Sequence, residues 1–475
     1  MANVTLSAYL GIIVWKELEK NGFQRRINPQ TGMLSYEFTQ EELDSIGQLH
    51  LTDIGLSLEG ISNLRNLKKL YIGRTHIRTS DETMKSKIYM PREHYIKPRD
   101  VPSISDRDLA EIGTMESLEE LAIVGQSKVT SFDVSRLTKL KSLKICGNMR
   151  LETVRGLENL QQLDWLVLIG NDELTKASGL NQYLNNPLTK TVSLDPQLFP
   201  QAINYNHQTG GEDTRLIERM KGGNIDIDFY ETMTARDDIK MNLGQMLVVH
   251  EKAKSIVRAL NALRLKPRGK IMMTQAYLGD TIKYDTASLH SNQSNSEEGV
   301  TKGPEHGANG LYNCMVLETC VCQGYTRGAK YLYTLQGISS REVNCISGRD
   351  TGYFTEKAND IHSGKIELPD DGYHSMLLVQ DDVNQESGYC DACWNATYFR
   401  KKRIMPFVLM GTEEIKRTHT LSLEEQGVLI ESNPDRRARI NKEMELVLQL
   451  YKQHIKKLLP KKHHNRASQQ DEPEM

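Results

Sequence analysis

Seven cysteines stand in this chain, and six of them fall between 314 and 393: Cys314, Cys320, Cys322, Cys345, Cys390 and Cys393, with Cys146 alone outside. The odd number and the local clustering do not suit a secreted disulfide scaffold, which spreads an even number through a shorter chain. Reduced thiols in a cytoplasmic protein are expected instead, with the cluster serving catalysis or a metal. Cys322 opens the stretch Val321-Cys322-Gln323-Gly324-Tyr325-Thr326, which runs on to Leu335-Gln336-Gly337-Ile338. The pattern predicts a helix that starts at Cys322 and stops at Gly337, with Ala329, Leu332 and Leu335 seating it on a core. A thiolate at a helix N-terminus is stabilised by unpaired backbone N–H groups and the positive end of the helix dipole. The same N–H groups can hold an oxyanion. Cys322 is therefore a candidate nucleophile, against the plainer alternative of a buried, inert cysteine.

Zinc is the competing chemistry. Cys320-Val321-Cys322 and Cys390-Asp391-Ala392-Cys393 could supply four thiolates to one ion. The second pair has metal-ligand spacing, but the first is only CxC and would consume the candidate nucleophile. The expectation is therefore no metal and no cofactor. There is no Gly-rich phosphate loop ending in Lys-Ser/Thr and no HExxH pair.

The stretch around Cys322 resembles the bacterial transglutaminase-like superfamily of papain-type thiol proteins, where a VCxGYA-type motif opens the central helix and a GI pair closes it. Here Thr326 stands for the alanine. The resemblance covers about 270–420. Ile282-Lys283-Tyr284-Asp285 is similar to the family's IxYD element, and Tyr312 sits ten residues before the cysteine, with Asn313 where the family has glycine. Gly372-Tyr373-His374-Ser375-Met376-Leu377 resembles its HAWN strand, with Ser375 and Leu377 departing from Ala and Asn. Tyr389-Cys390-Asp391-Ala392-Cys393-Trp394 resembles YxVDxTW, and Met410-Gly411-Thr412-Glu413-Glu414-Ile415 with His419 is similar to an element that closes such domains. The resemblance implies Cys322 as nucleophile, His374 as its base and Asp391 as the carboxylate that orients the imidazole. It leaves Tyr312 as a candidate for the oxyanion site, against a core tyrosine, and Trp394 as a packing residue. Core and helix-cap roles are the alternatives for His374 and Asp391. A thioester resolved by water gives proteolysis or deamidation, and one resolved by an amine gives cross-linking. The alternative is a non-catalytic interaction scaffold carrying an inactive version of the fold.

Something must present a substrate to that site, and the first half supplies a repeat. Leu67, Leu70 and Ile72 set an LxxLxI frame that returns at Leu118, Leu121 and Ile123, at Leu140, Leu143 and Ile145, and at Leu163, Leu166 and Leu168. The later copies are 22 and 23 residues apart, the period of leucine-rich repeats. A polar residue follows each: Thr75, Gln126, Asn148 and Asn171. Such residues can satisfy backbone groups of the neighbouring turn. The expected fold is an α/β leucine-rich-repeat solenoid followed by an α+β transglutaminase-like domain. The divisions are a cap helix and lead-in at 1–45, repeats at 46–185 with an insertion near 78–107, and a connector at 186–242. The thiol domain follows at 243–425, then a final helix at 426–460 opened by Asn433-Pro434, and a disordered tail at 461–475. Repeats of this kind bind extended protein surfaces, so a protein or peptide partner is expected.

Composition excludes other classes. Lys+Arg number 60 and Asp+Glu 62, which gives no general electrostatic case for nucleic acid. The apolar run Ala8–Trp15 falls well below the ~20 residues that span a bilayer, and it has neither the basic lead nor the cleavage site of a signal peptide.

Overall fold

The computed structural model describes residues 3–52, 57–73, 103–148, 150–233, 238–285, 309–347, 373–381, 383, 385–421 and 428–455. Thr75, the insertion near 78–107 up to residue 102, and the tail at 461–475 lie outside them. The chain is mixed α/β, with a largely parallel sheet in its first half and an antiparallel sheet in its second.

The leucine frame folds as its alternation demands, since every second residue of a strand faces one side. Strands Lys69–Gly73, Glu120–Val124, Ser142–Cys146 and Trp165–Ile169 pair in parallel. Leu70, Leu121, Leu143 and Leu166 stand in one register, and Ile72, Ile123, Ile145 and Leu168 in another. All eight are buried in one core. On the opposite face Tyr71, Ala122, Val124, Cys146, Val167 and Ile169 form a second, separate buried cluster. Behind the main core a three-stranded parallel sheet brings Phe132, Val154 and Ala177 inward. Gly156 (φ +88°) permits that close stacking, because a Cβ there would lie 2.5 Å from the Ser135 backbone.

The polar ladder is continuous. The Gln126 N–H donates to Asn148 Oδ1 at 2.9 Å, and the Asn148 N–H to Asn171 Oδ1 at 3.0 Å. The side-chain amides of Asn148 and Asn171 donate back to the carbonyls of Ile123 and Ile145. Asp195 extends the series, accepting from the Gly170 and Asn171 N–H groups.

Residues 186–242 are more than a connector. Thr191–Leu194 and Asp226–Met233 add two further parallel strands, and Asp238–Asn242 turns back antiparallel, so the sheet reaches eight strands. Their apolar alternation (Val192, Leu194, Ile227, Phe229) continues the array, but at a spacing that breaks the 22–23-residue period. The helix Ala8–Lys20 buries Leu10, Val14, Trp15 and Leu18 in the same core.

In the second half, the helix Cys322–Leu335 packs against a four-stranded antiparallel sheet. Its strand order is Glu386–Cys390, Tyr373–Asp381, Ser340–Ser347, His419–Leu421. Helices Leu243–Asn261, Pro267–Thr281 and Ala392–Lys402 also pack on the Cys322 helix. Gly337 (φ +70°) ends that helix in the left-handed conformation. The final helix, Pro434–Leu450, begins with Asn433 accepting from the Asp435 N–H at 2.8 Å. The two halves meet where Lys330 Nζ donates to the Asp172 carbonyl and Arg341 pairs with Glu173 at 3.4 Å. Among the described residues, no helix is long and apolar enough to cross a membrane.

Candidate active site

Cys322 is the first residue of its helix, after the extended Val321, and it is partly exposed. Thr326, one turn on, explains its departure from alanine. Its hydroxyl lies 2.8 Å from the Ser375 carbonyl and 3.1 Å from the Cys322 carbonyl. That contact ties the Cys322 helix to the strand carrying His374. Ser375 also has a use: its hydroxyl donates to Glu342 at 2.7 Å, and the same carboxylate oxygen accepts from Gln323 at 3.3 Å. Glu342 thus bridges the residues that follow Cys322 and His374.

His374 lies second in the strand Tyr373–Asp381 and is buried. Its Nε2 is 2.8 Å from Asp391 Oδ2, so Nδ1 is the ring nitrogen not engaged by that carboxylate, and Cys322 lies within electrostatic reach of the ring. Burial alone would pull this imidazole down. The charge and hydrogen bond of Asp391, with the contact to Cys322, outweigh that and push it up to about 10.

Asp391 follows the strand Glu386–Cys390 and is wholly buried. The residue both caps a helix and faces an imidazole. Oδ1 accepts from the Trp394 N–H at 2.9 Å, capping the helix Ala392–Lys402, while Oδ2 faces His374. Burial works to raise its carboxyl, but His374 and then His419 hold it well below the usual carboxylate range. Trp394 packs beside the pair, its ring 6.1 Å from that of His374.

His419 was legible only as part of a closing element, yet it enters the site. It is buried, with Nε2 3.2 Å from the same Asp391 Oδ2. No spacing rule links it to Asp391. The contact arises because the strand His419–Leu421 returns to the sheet edge beside Ser340–Ser347. Tyr284 was quoted only within a motif. Burial raises its hydroxyl, and Cys322 raises it further, which puts that phenol within electrostatic reach of the sulfur. Tyr312 precedes the turn Asn313–Leu317 and packs partly buried against the large core.

Cys320 and Cys393 are buried and lie within electrostatic reach of Cys322. The Leu409 N–H donates to Cys390 Sγ at 3.2 Å, and burial pushes that thiol up to about 12. Burial raises Cys320 strongly, and the neighbouring Cys314 adds to that. Among the described residues, the group whose ligand atoms converge as a metal would require is His374, Asp391 and His419, all within 4.8 Å of one another.

No family model matches the chain, and no curated protein matches it. Among solved structures it is similar to an internalin from Listeria monocytogenes, at 18% identity and a TM-score of 0.24. The match covers 40% of this chain and 49% of the internalin chain, so the protein spans about half of that chain's length. At that TM-score the likeness carries no argument, and the repeat rests on its own strand pairing.

Proposed function

We propose that the second half is a transglutaminase-like thiol enzyme acting on amide bonds, and that the leucine-rich-repeat solenoid holds its protein or peptide partner. The observation that carries the reading is the line from Cys322 at a helix start, through a buried imidazole, to a buried carboxylate. Cys322 Sγ attacks the amide carbonyl carbon as its proton passes to His374 Nδ1. The carbonyl oxygen takes the negative charge, with backbone N–H groups at the helix start as donors. The C–N bond then breaks, His374 protonates the departing amine or ammonia, and a thioester remains on Cys322. Asp391 holds the imidazole ring and offsets its charge in both steps. Water, deprotonated by His374, frees a carboxylic acid, and a primary amine forms a new amide.

Casein incubated with the full chain and a fluorescent primary amine tests this. Amine incorporation, ammonia release and new peptide termini are followed by mass spectrometry, with Cys322→Ala as control. At least one of the three should depend on Cys322. Identical products from both proteins would count against the reading.

A further inference from the structure

Asp391 is flanked by two imidazoles, and the proposed mechanism uses one. His419 is 1% exposed, and its ring lies 4.7 Å from Trp394 and 6.0 Å from Phe407, centre to centre. Its Nε2 is buried without a hydrogen-bond partner, and Asp391 Oδ2 lies 3.2 Å from it. A buried ring nitrogen set against a buried carboxylate is costly unless it carries a proton.

Thr418 decides where that proton sits. Its hydroxyl oxygen is 2.9 Å from His419 Nδ1 and 3.2 Å from the Ile415 carbonyl oxygen, and it has one proton to give. Given to the nearer acceptor, that proton makes Nδ1 an acceptor and leaves the ring's own proton on Nε2, aimed at Asp391. The opposite assignment would turn an Nε2 lone pair toward the carboxylate. Burial also lowers the pKa of His419, which favours its neutral form.

We propose that His419 is a positioning residue, a neutral Nε2–H donor that shares Asp391 Oδ2 with His374 and fixes the plane of the carboxylate. The Trp394 N–H holds Oδ1, so the carboxylate is pinned at both oxygens. The groups facing His419 in this arrangement are Asp391, His374 and Thr418. The inference rests on the thiol-triad reading, and it assigns that triad a fourth member on the edge strand.

The test uses the full chain. His419→Phe keeps a ring between Trp394 and Phe407 but removes the donor, whereas His419→Gln places an amide N–H near the Nε2 position. The rate of Cys322 alkylation by iodoacetamide is followed from pH 5 to 9 in each. The Phe variant should react about tenfold more slowly at pH 7, the equivalent of one hydrogen bond, with the Gln variant within about threefold of wild type. A wild-type rate and pH profile in the Phe variant, or equal losses in two folded variants, would overturn the proposal. A second readout needs neither variant. In histidine labelled with 15N, His419 should be the neutral Nε2–H tautomer from pH 6 to 8, and an Nδ1–H or charged ring would overturn the assignment. If wild-type Cys322 reacts no faster than a free thiol, the enzyme reading fails, while the 15N spectrum still decides the bond to Asp391.

Discussion

His374 Nε2 and Asp391 Oδ2 lie 2.8 Å apart, and the second oxygen of Asp391 caps the helix Ala392–Lys402. One buried carboxylate therefore sets the orientation of the imidazole and the start of a helix. The helix start and the imidazole's orientation are coupled at this point.

The first prediction is the pH dependence of that coupling. His374 is raised to about 10, so its contribution to stability is complete below the ordinary imidazole value of about 6.5 and is lost as pH rises towards 10. Asp391 is depressed, so its contribution is present above the ordinary carboxylate value of about 4 and is lost as pH falls. Urea unfolding should show stability falling between pH 7 and 10. That fall should be shallower in His374→Gln, and equal slopes in the two proteins would remove His374 as the cause.

The repeat core supplies a second prediction. Leu143 is fully buried between Leu121 and Leu166 in the strand register. Leu143→Ala should cost roughly 2–5 kcal/mol by leaving a cavity. Asn171→Ala should also destabilise, by roughly 1–3 kcal/mol, because the buried Asn148 N–H loses its acceptor. Denaturant midpoints check both, and a neutral Asn171→Ala would mean that the ladder is dispensable.

How far the sequence showed these features depends on how local each signal is. The strands carrying Leu70, Leu121, Leu143 and Leu166 were readable because their period is short and their alternation strict. Val192 and Ile227 belong to the same sheet but follow at irregular spacing, so the array looked finished too early. Asp195 was missed as the ladder's last member for the same reason. The Cys322 helix was readable from its ends, the cysteine and Gly337. His419 was not readable as a site residue, because its meeting with Asp391 is set by strand order at a sheet edge.

A third prediction separates the cysteines. Cys390 accepts a backbone N–H that a serine hydroxyl can also meet, and it sits near Arg436 and Arg437. Cys390→Ser and Cys393→Ser should keep thiol reactivity largely intact, while Cys322→Ser abolishes it. Chelator treatment should leave folding unchanged by circular dichroism. One equivalent of zinc, lost together with structure in a Cys390 or Cys393 variant, would restore the four-thiolate site.

A fourth concerns how the last helix is held. Buried Arg268 reaches Asp381 at 3.4 Å, Glu386 at 2.8 Å and Glu443 at 3.2 Å, joining sheet, helix Pro267–Thr281 and the final helix. Arg268→Met removes this cation from beside a fully buried Asp381 and should cost roughly 3–5 kcal/mol. A change under roughly 1 kcal/mol in urea unfolding would mean that the network contributes little beyond surface pairing.

The most direct measurement is the iodoacetamide alkylation rate of Cys322 against pH, in wild type and His374→Ala. A thiol paired with an imidazole reacts as thiolate well below the ordinary thiol range of about 8.5. The account predicts that Cys322 is alkylated markedly faster in wild type than in His374→Ala at neutral pH, so that the two curves separate. Superimposable curves for the two proteins, both following an ordinary thiol, would contradict the assignment of Cys322 and His374 as a catalytic pair.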